Sequence, residues 1–398
     1  MTTPFATGRL GDSRSTPRVT VLELLFDVVF VFAITRVAQR LTDDFTISRK
    51  ALLSETGQTM LFLGALWMIW YLNAWMTSRF DPQRSDIQLV VIVTMFGSLL
   101  IAVCLPQAFG ERGLIFVVTY VVIQIGRPLY LVWAMRGHPR QPPSVRILCW
   151  SVFAASLWLT GGFFEAETRG ALWTIAVLIE LLGPALHWRT PFLGSPGNDK
   201  WIMAEDHLAE RYTQFLLIAL GESVIATGIA ISVRPFTTGQ MTIFVASFLT
   251  TLLFWRIFFY HAGLGLAAAL ARARSAAGLG QSASYALLLM VAGIIIAGVG
   301  YRLVIDDPDP PMDPAWVAVI FGGPVVFLAG RLLFEYQLFG RVNPSLRGGM
   351  MALILVAPGM AFVNPMISPL VATLLLAGMA VHETLARRHE RAATNPPL

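Results

Sequence analysis

Glu23 and Asp27 stand four residues apart inside an otherwise apolar run. On a helix that spacing puts both carboxylates on one face, about 6 Å apart along the axis. Thr20 and Thr35 fall near the same side or its edge. Two carboxylates so placed can coordinate a cation or share a proton, each altering the other's hold on it. A second apolar run carries Gly221-Glu222-Ser223 at its centre. There glycine permits close helix approach, while Glu222 and Ser223 can line a path. The alternative is that each carboxylate pairs with an arginine of a neighbouring helix, Arg127 and Arg331 being the candidates, and only holds the helices together. Ser223 would then bond back to its own helix. Glu180 and Glu55 are further acids in apolar surroundings; Glu55, Arg36 and Arg256 lie near run ends and are expected to reach outward. His207-Leu208-Ala209-Glu210 sets two ligand types three residues apart. No third ligand is evident, so capping and pairing at a helix start, beside Arg211, is the expected role. There is no His-Glu-x-x-His, Gly-x-Ser-x-Gly or Walker lysine. No cofactor, metal or catalytic residue is therefore expected, and an intramembrane enzyme would lack a nucleophile–base pair.

The elements that must position these groups follow from composition. Of 398 residues, 56% are hydrophobic and 13% charged, against roughly 25% charged in soluble proteins. Lipid is the expected solvent for much of the exterior. The net charge of +5 comes from scattered residues that form no stripe, which excludes nucleic acid as a partner. Cys104 and Cys149 both fall in apolar runs and suggest no disulfide framework. No cleavable leader is visible in the polar first twenty residues. Runs of about 20 apolar residues cross a 30 Å hydrocarbon core. They occur at 20–41, 51–75, 86–107, 112–135, 145–164, 168–187, 209–232, 238–260, 282–305, 315–336, 348–364 and 366–386. The expected fold is thus an all-α polytopic bundle of about twelve spans, with Asn364-Pro365 as a tight turn before the last. Trp67, Trp70, Tyr71 and Trp75 read as an interfacial belt, among which Asn73 is harder to place. If both termini share one side, that side collects 18 basic residues, Arg79, Arg146 and Arg211 among them, and the other collects 6. Both termini are therefore expected to be cytoplasmic, in the inner membrane of a bacterium.

The two halves share a string. Val121-Val122-Ile123-Gln124-Ile125-Gly126-Arg127-Pro128-Leu129-Tyr130 in the fourth span parallels Val325-Val326-Phe327-Leu328-Ala329-Gly330-Arg331-Leu332-Leu333-Phe334 in the tenth. A duplication into two parallel six-helix repeats follows, with chance likeness between apolar strings as the alternative. The expected organisation is 1–19 as a cytoplasmic segment, 20–187 as the first repeat, 188–208 as a cytoplasmic connection, 209–386 as the second repeat and 387–398 as a tail. The register of the first and seventh spans stays open, since either Asp27 with Glu222 or Glu23 with Glu210 aligns.

Leu22-Glu23-Leu24-Leu25-Phe26-Asp27-Val28-Val29-Phe30-Val31-Phe32-Ala33-Ile34-Thr35 resembles the opening signature of the bacterial low temperature requirement A (LtrA) family. His207-Leu208-Ala209-Glu210-Arg211-Tyr212, continuing to Ile218-Ala219-Leu220-Gly221-Glu222-Ser223-Val224, resembles its second signature. Arg79-Phe80-Asp81 resembles a further feature, and the likeness runs from about residue 18 to the last helix. Leu25 stands where members carry an aromatic, and Arg36 where many carry glutamine. The family name refers to growth in the cold and implies no chemistry. Asp27 to Thr35 also resembles the first-helix motif of the lysosomal and prokaryotic transmembrane potassium channels. That resemblance implies a pore-lining first helix with Phe30 or Ile34 at a constriction. The resulting expectation is a transporter or channel-like protein that moves a cation, proton or small solute past acidic groups of the first and seventh helices. A non-transporting sensor or scaffold is the alternative. The expected partners are the bilayer and one such solute, and an oligomer is left open.

Overall fold

The computed structural model describes residues 19–47, 52–139, 141–193, 204–234, 237–260, 265–273, 275–307 and 313–394. Residues 1–18 of the polar N-terminal segment and 194–203 of the 188–208 connection lie outside that set. Thirteen α-helices and no strands occur among the described residues. In chain order they are α1 (Val21–Ile47), α2 (Leu52–Arg79), α3 (Ser85–Cys104), α4 (Gly113–Ala134), α5 (Pro142–Gly162), α6 (Ala166–Ala185), α7 (Glu205–Ser232), α8 (Thr238–Phe259), α9 (Leu266–Arg272), α10 (Ala276–Asp306), α11 (Pro314–Phe339), α12 (Pro344–Met360) and α13 (Ile367–Thr394).

Each expected span falls on one of the twelve long helices, and α9 is an addition too short and too local to read from hydropathy. Among the described residues, nine helices are long and apolar enough to cross a membrane. The other three long ones fall short for visible reasons. α1 carries Glu23, Asp27, Arg36, Arg40, Asp43 and Asp44, α6 carries Glu167, Arg169 and Glu180, and α12 has only 17 residues, about 25 Å of rise. Lipid is nonetheless the solvent these helices are built for. Leu89, Ile92, Val93, Phe96, Leu99 and Val103 form an exposed apolar stripe along α3, at the three-and-four spacing of one helix face. A water-soluble chain does not present such stripes helix after helix, and this is a multi-pass membrane protein.

Helix ends follow local chemistry. Asp313 and Asn343 cap α11 and α12 through bonds from Ala315 N and Ser345 N, both 2.9 Å, with Pro314 and Pro344 as first helical residues. Gly340 ends α11 in the left-handed region at φ 65°. Asn364-Pro365 is not a two-residue turn: residues 361–366 connect α12 to α13, and Asn364 accepts from Met366 N at 2.9 Å.

The chain forms two compact units. One comprises Met1–Arg40, Leu53–Phe215 and Ala267–Ser284; the other comprises Leu41–Leu52, Leu216–Leu266 and Tyr285–Leu398. Their boundaries fall within α1, α2, α7, α9 and α10.

The first unit is organised around α2, in which every residue from 61 to 80 is buried. This corrects the aromatic belt: Trp67, Trp70, Tyr71 and Trp75 are core residues. Nearer the start of α2, Phe62 packs on Phe116 and Trp173, which form a group with Tyr120 and Trp158 whose ring centroids lie 4.6–6.3 Å apart. In the second unit α10 and α11 cross at backbone contact. A Cβ on Gly293 would strike the Phe327 nitrogen, and one on Gly330 would lie 2.7 Å from the Ala286 carbonyl oxygen. Without a hydrophobic drive between helices in lipid, such close packing is a main source of association.

Candidate functional site

The site grows from the first two turns of α1. Thr20 and Glu23 form a capping box. The Thr20 N–H and hydroxyl donate to Glu23 Oε2 at 3.0 and 2.9 Å, and Glu23 N donates to Thr20 Oγ1 at 3.4 Å. Glu23 therefore lies at a helix start, and Asp27 one turn further in. The first turns of α7 supply His207 and Arg211, four residues apart on one face, and α2 supplies Trp70 and Ser78. All six side chains are buried.

Arg211 donates to both oxygens of Asp27, from Nη1 to Oδ2 at 2.6 Å and from Nη2 to Oδ1 at 2.8 Å, and its Nη1 also reaches the Glu23 carbonyl at 3.1 Å. The Trp70 indole N–H adds a third donor on Asp27 at 3.0 Å. Asp27 is thus saturated by a planar fork and an indole. Glu23 Oε1 lies 3.8 Å from Arg211 Nε, beyond hydrogen-bond reach.

His207 closes the cluster. Its Nδ1 lies 3.0 Å from Ser78 Oγ and its Nε2 lies 3.2 Å from Glu23 Oε2. The Ser78 hydroxyl also lies 2.8 Å from the Ala74 carbonyl; when it donates there it accepts from Nδ1–H, and when it donates to Nδ1 the imidazole is the neutral Nε2–H tautomer. In either case the contact between Nε2 and Glu23 holds one proton, and with Nδ1–H present that proton is one more than a neutral imidazole carries. With that extra proton the four ionisable groups sum to zero charge; without it they carry one negative charge.

An aromatic group adjoins the cluster in the same unit. Phe30 packs on Phe26 and Phe215, each at 5.8 Å, and Trp70 lies 4.0 Å from Phe215. Trp70 therefore touches both Asp27 and the rings. Ile34 is buried on the same α1 face and Thr35 is half-buried.

The remaining expected residues lie elsewhere. Arg127 and Arg331 do not counter Asp27 and Glu222. Arg127 donates to the Ile69 carbonyl at 3.0 Å and to Gln124 Oε1 at 2.7 Å. Arg331 donates to the Ile257 carbonyl at 3.1 Å and pairs with Glu335 at 3.5 Å. The guanidinium on Asp27 is that of Arg211, which lies within a helix and is fully buried, as Arg79 and Arg146 are nearly so. All three therefore leave the count of loop charges. Glu180 accepts from the Tyr120 hydroxyl at 2.5 Å. Glu55 pairs with Arg40 at 3.3 Å. Arg36 bonds Gln39 at 2.6 Å, and Arg256 reaches Thr384. Glu210 accepts from Val19 N and Gln214, at 3.3 and 3.4 Å. Glu222 is buried mid-helix, and its Oε1 has no hydrogen-bond partner among the described residues. Ser223 faces Gly298, where an added Cβ would come within 3.2 Å of its hydroxyl. Trp70 and Ser78 were not foreseen as site residues. Only their place one turn either side of Asn73, itself polar within an apolar run, marks that stretch of α2.

The model of the family described as "Bacterial low temperature requirement A protein (LtrA)" matches residues 18–381. An uncharacterized protein, RA0937 of Rhizobium meliloti (strain 1021), is 32% identical over 328 residues, covering 81% of this chain and 78% of the relative. No solved structure matches the chain.

Proposed function

The chain belongs to the bacterial low temperature requirement A family, and within it we propose a proton-linked membrane transporter or channel-like protein whose proton-handling centre is Glu23, His207, Arg211 and Asp27. One observation carries this reading: a histidine and a carboxylate share a bond inside a buried cluster of four ionisable groups, whose net charge turns on whether His207 bears one ring proton or two. A cluster whose charge changes in low dielectric has a strong energetic reason to rearrange. Trp70 offers the transmission, because it holds Asp27 on one edge and packs on Phe215 on the other. In this reading Phe30 and Phe215 narrow the path next to the cluster, with Ile34 further along α1. Glu222 stands eleven residues beyond Arg211 on the same face of α7, about 16 Å along the axis, and serves as a second acidic station with Ser223. The solute is a proton, moving alone or with a cation or small solute. The protein sits in the bacterial inner membrane with both termini cytoplasmic.

We also read the halves as parallel repeats. Arg127 of the fourth long helix bonds a carbonyl of the second, and Arg331 of the tenth bonds a carbonyl of the eighth. Gly97 meets Ile123, four residues before Arg127, and Gly293 meets Phe327, four before Arg331.

The test is proton movement in liposomes holding purified protein and a trapped pH dye, under an imposed gradient. Flux that is lost in Glu23→Gln and His207→Gln, and kept in Cys149→Ser, supports the proposal. Wild-type protein that is inert to protons and cations under every gradient rejects it. The saturation of Asp27 favours a second reading, a non-transporting scaffold in which the cluster locks α1 to α7. In that case the charge variants lower stability and change no flux.

A further inference from the structure

On the side of α2 largely opposite Trp70 and Ser78 lies a partly open pocket walled by Tyr71, Trp75, Phe80 and Trp188 and reached by Arg79, Arg127 and Ser144. We propose that it binds a free organic anion, a carboxylate carried on an apolar body.

Arg127 is buried, and its two hydrogen bonds go to neutral acceptors, the Ile69 carbonyl and the Gln124 amide oxygen. No carboxylate lies within 4.0 Å of it among the described residues; Glu180 is reached only through Gln124 and Tyr120, at 3.3 and 2.5 Å. A guanidinium does not shed its charge, and a buried cation whose carboxylate neighbour, Glu180, acts on it only from behind Gln124 and Tyr120 is incompletely compensated. Its remaining N–H groups are free to hold an anion. Ser144 supplies the second, independent sign. Its hydroxyl oxygen is buried on the cavity wall with no partner among the described residues, although buried hydroxyls are ordinarily bonded. Ser144 also stands in the first turn of α5, where the helix dipole favours negative charge.

The walls choose the kind of anion. Aromatic and aliphatic side chains surround Arg79, Arg127 and Ser144, and an inorganic ion would strand that surface in contact with water. Trp188 carries part of the wall in a left-handed conformation at φ 53°. Such strain in a non-glycine residue persists only where the surroundings hold it; here the indole packs onto Gly183, where a Cβ would fall 2.5 Å from the ring.

Octanoate is the probe, added to the protein in nanodiscs of zwitterionic phosphatidylcholine and followed by calorimetry and thermal shift. Saturable octanoate binding at least about ten-fold tighter than that of octanol or inorganic phosphate is the expected result. Arg127→Gln should lose it. Because that variant removes a buried bond and can fail to fold, Ser144→Ala and Leu131→Trp are measured beside it. Ser144→Ala should keep or raise the melting temperature and weaken binding several-fold; Leu131→Trp should fill the cavity and abolish binding. Equal affinity for octanol, equal affinity for phosphate, complete displacement by phosphatidylglycerol, no binding at all, or full affinity in Leu131→Trp would each overturn the assignment. None of these readings depends on proton flux.

Discussion

Arg211 holds Asp27 through both terminal nitrogens, at 2.6 and 2.8 Å, across 184 residues of sequence. That pair joins α7 to α1 and defines the orientation of every other group in the cluster. Removing one partner leaves the other charged and buried, so Asp27→Ala should destabilise the protein by about 3–5 kcal/mol. The double variant Asp27→Leu with Arg211→Met should lose less than either single change, since an apolar pair of similar volume carries no desolvation penalty. Thermal unfolding in nanodiscs, arranged as a double-mutant cycle, checks this; strict additivity would show that the two residues do not interact.

Trp70 tests the link between charge and packing. Trp70→Phe keeps a ring against Phe215 and deletes the N–H on Asp27. A hydrogen bond to a charged group contributes about 1.5–3 kcal/mol, so a loss of that size in unfolding free energy is expected. Under the proton-linked reading, flux should fall as well. A variant as stable as the parent would mean that the indole bond contributes nothing.

His207 separates the two functional readings. His207→Gln keeps a side chain able to bond Ser78 or Glu23 but cannot carry the exchangeable proton. Proton flux in the parent should vary with pH, and the variant should show a flat, low profile. The same pH dependence in parent and variant would remove His207 from the path.

The α10–α11 crossing gives a test of packing alone. Gly293→Ala places a Cβ on the Phe327 backbone nitrogen, which cannot swing aside, whereas Gly322 has open space around it. Overpacking costs about 1–3 kcal/mol, so Gly293→Ala should lower the melting temperature clearly and Gly322→Ala should not. Thermal denaturation of the two variants side by side decides it, and equal behaviour would contradict the close crossing.

The long helices were legible because the information is local. An apolar run of about twenty residues carries its own solvent preference, and Asp313-Pro314 or Asn343-Pro344 announces a helix start through its own side chain. Glu23 and Asp27 were legible for the same reason, since two acids four apart in such a run share a face wherever the helix goes. The partner of Asp27 was not. Arg127, Arg331 and Arg211 are chemically alike, and Arg211, early in its helix, read as one more loop charge. The aromatics of α2 were misplaced because tryptophan suits an interface and a core alike, and only the neighbours of a helix determine which it meets.

For this chain, then, composition and spacing by themselves determined the solvent, the long helices and the presence of paired acids in an apolar setting. The tertiary structure alone decided that α2 is a core helix, that Arg211 is the counter-charge of Asp27, and that Glu23 shares a proton-bearing bond with His207. The physical reason is one of range. Hydropathy and helix periodicity act over a few turns, whereas the pairing of buried charges is settled by which helix faces meet, and residues 184 apart in the chain become neighbours only once the bundle has packed.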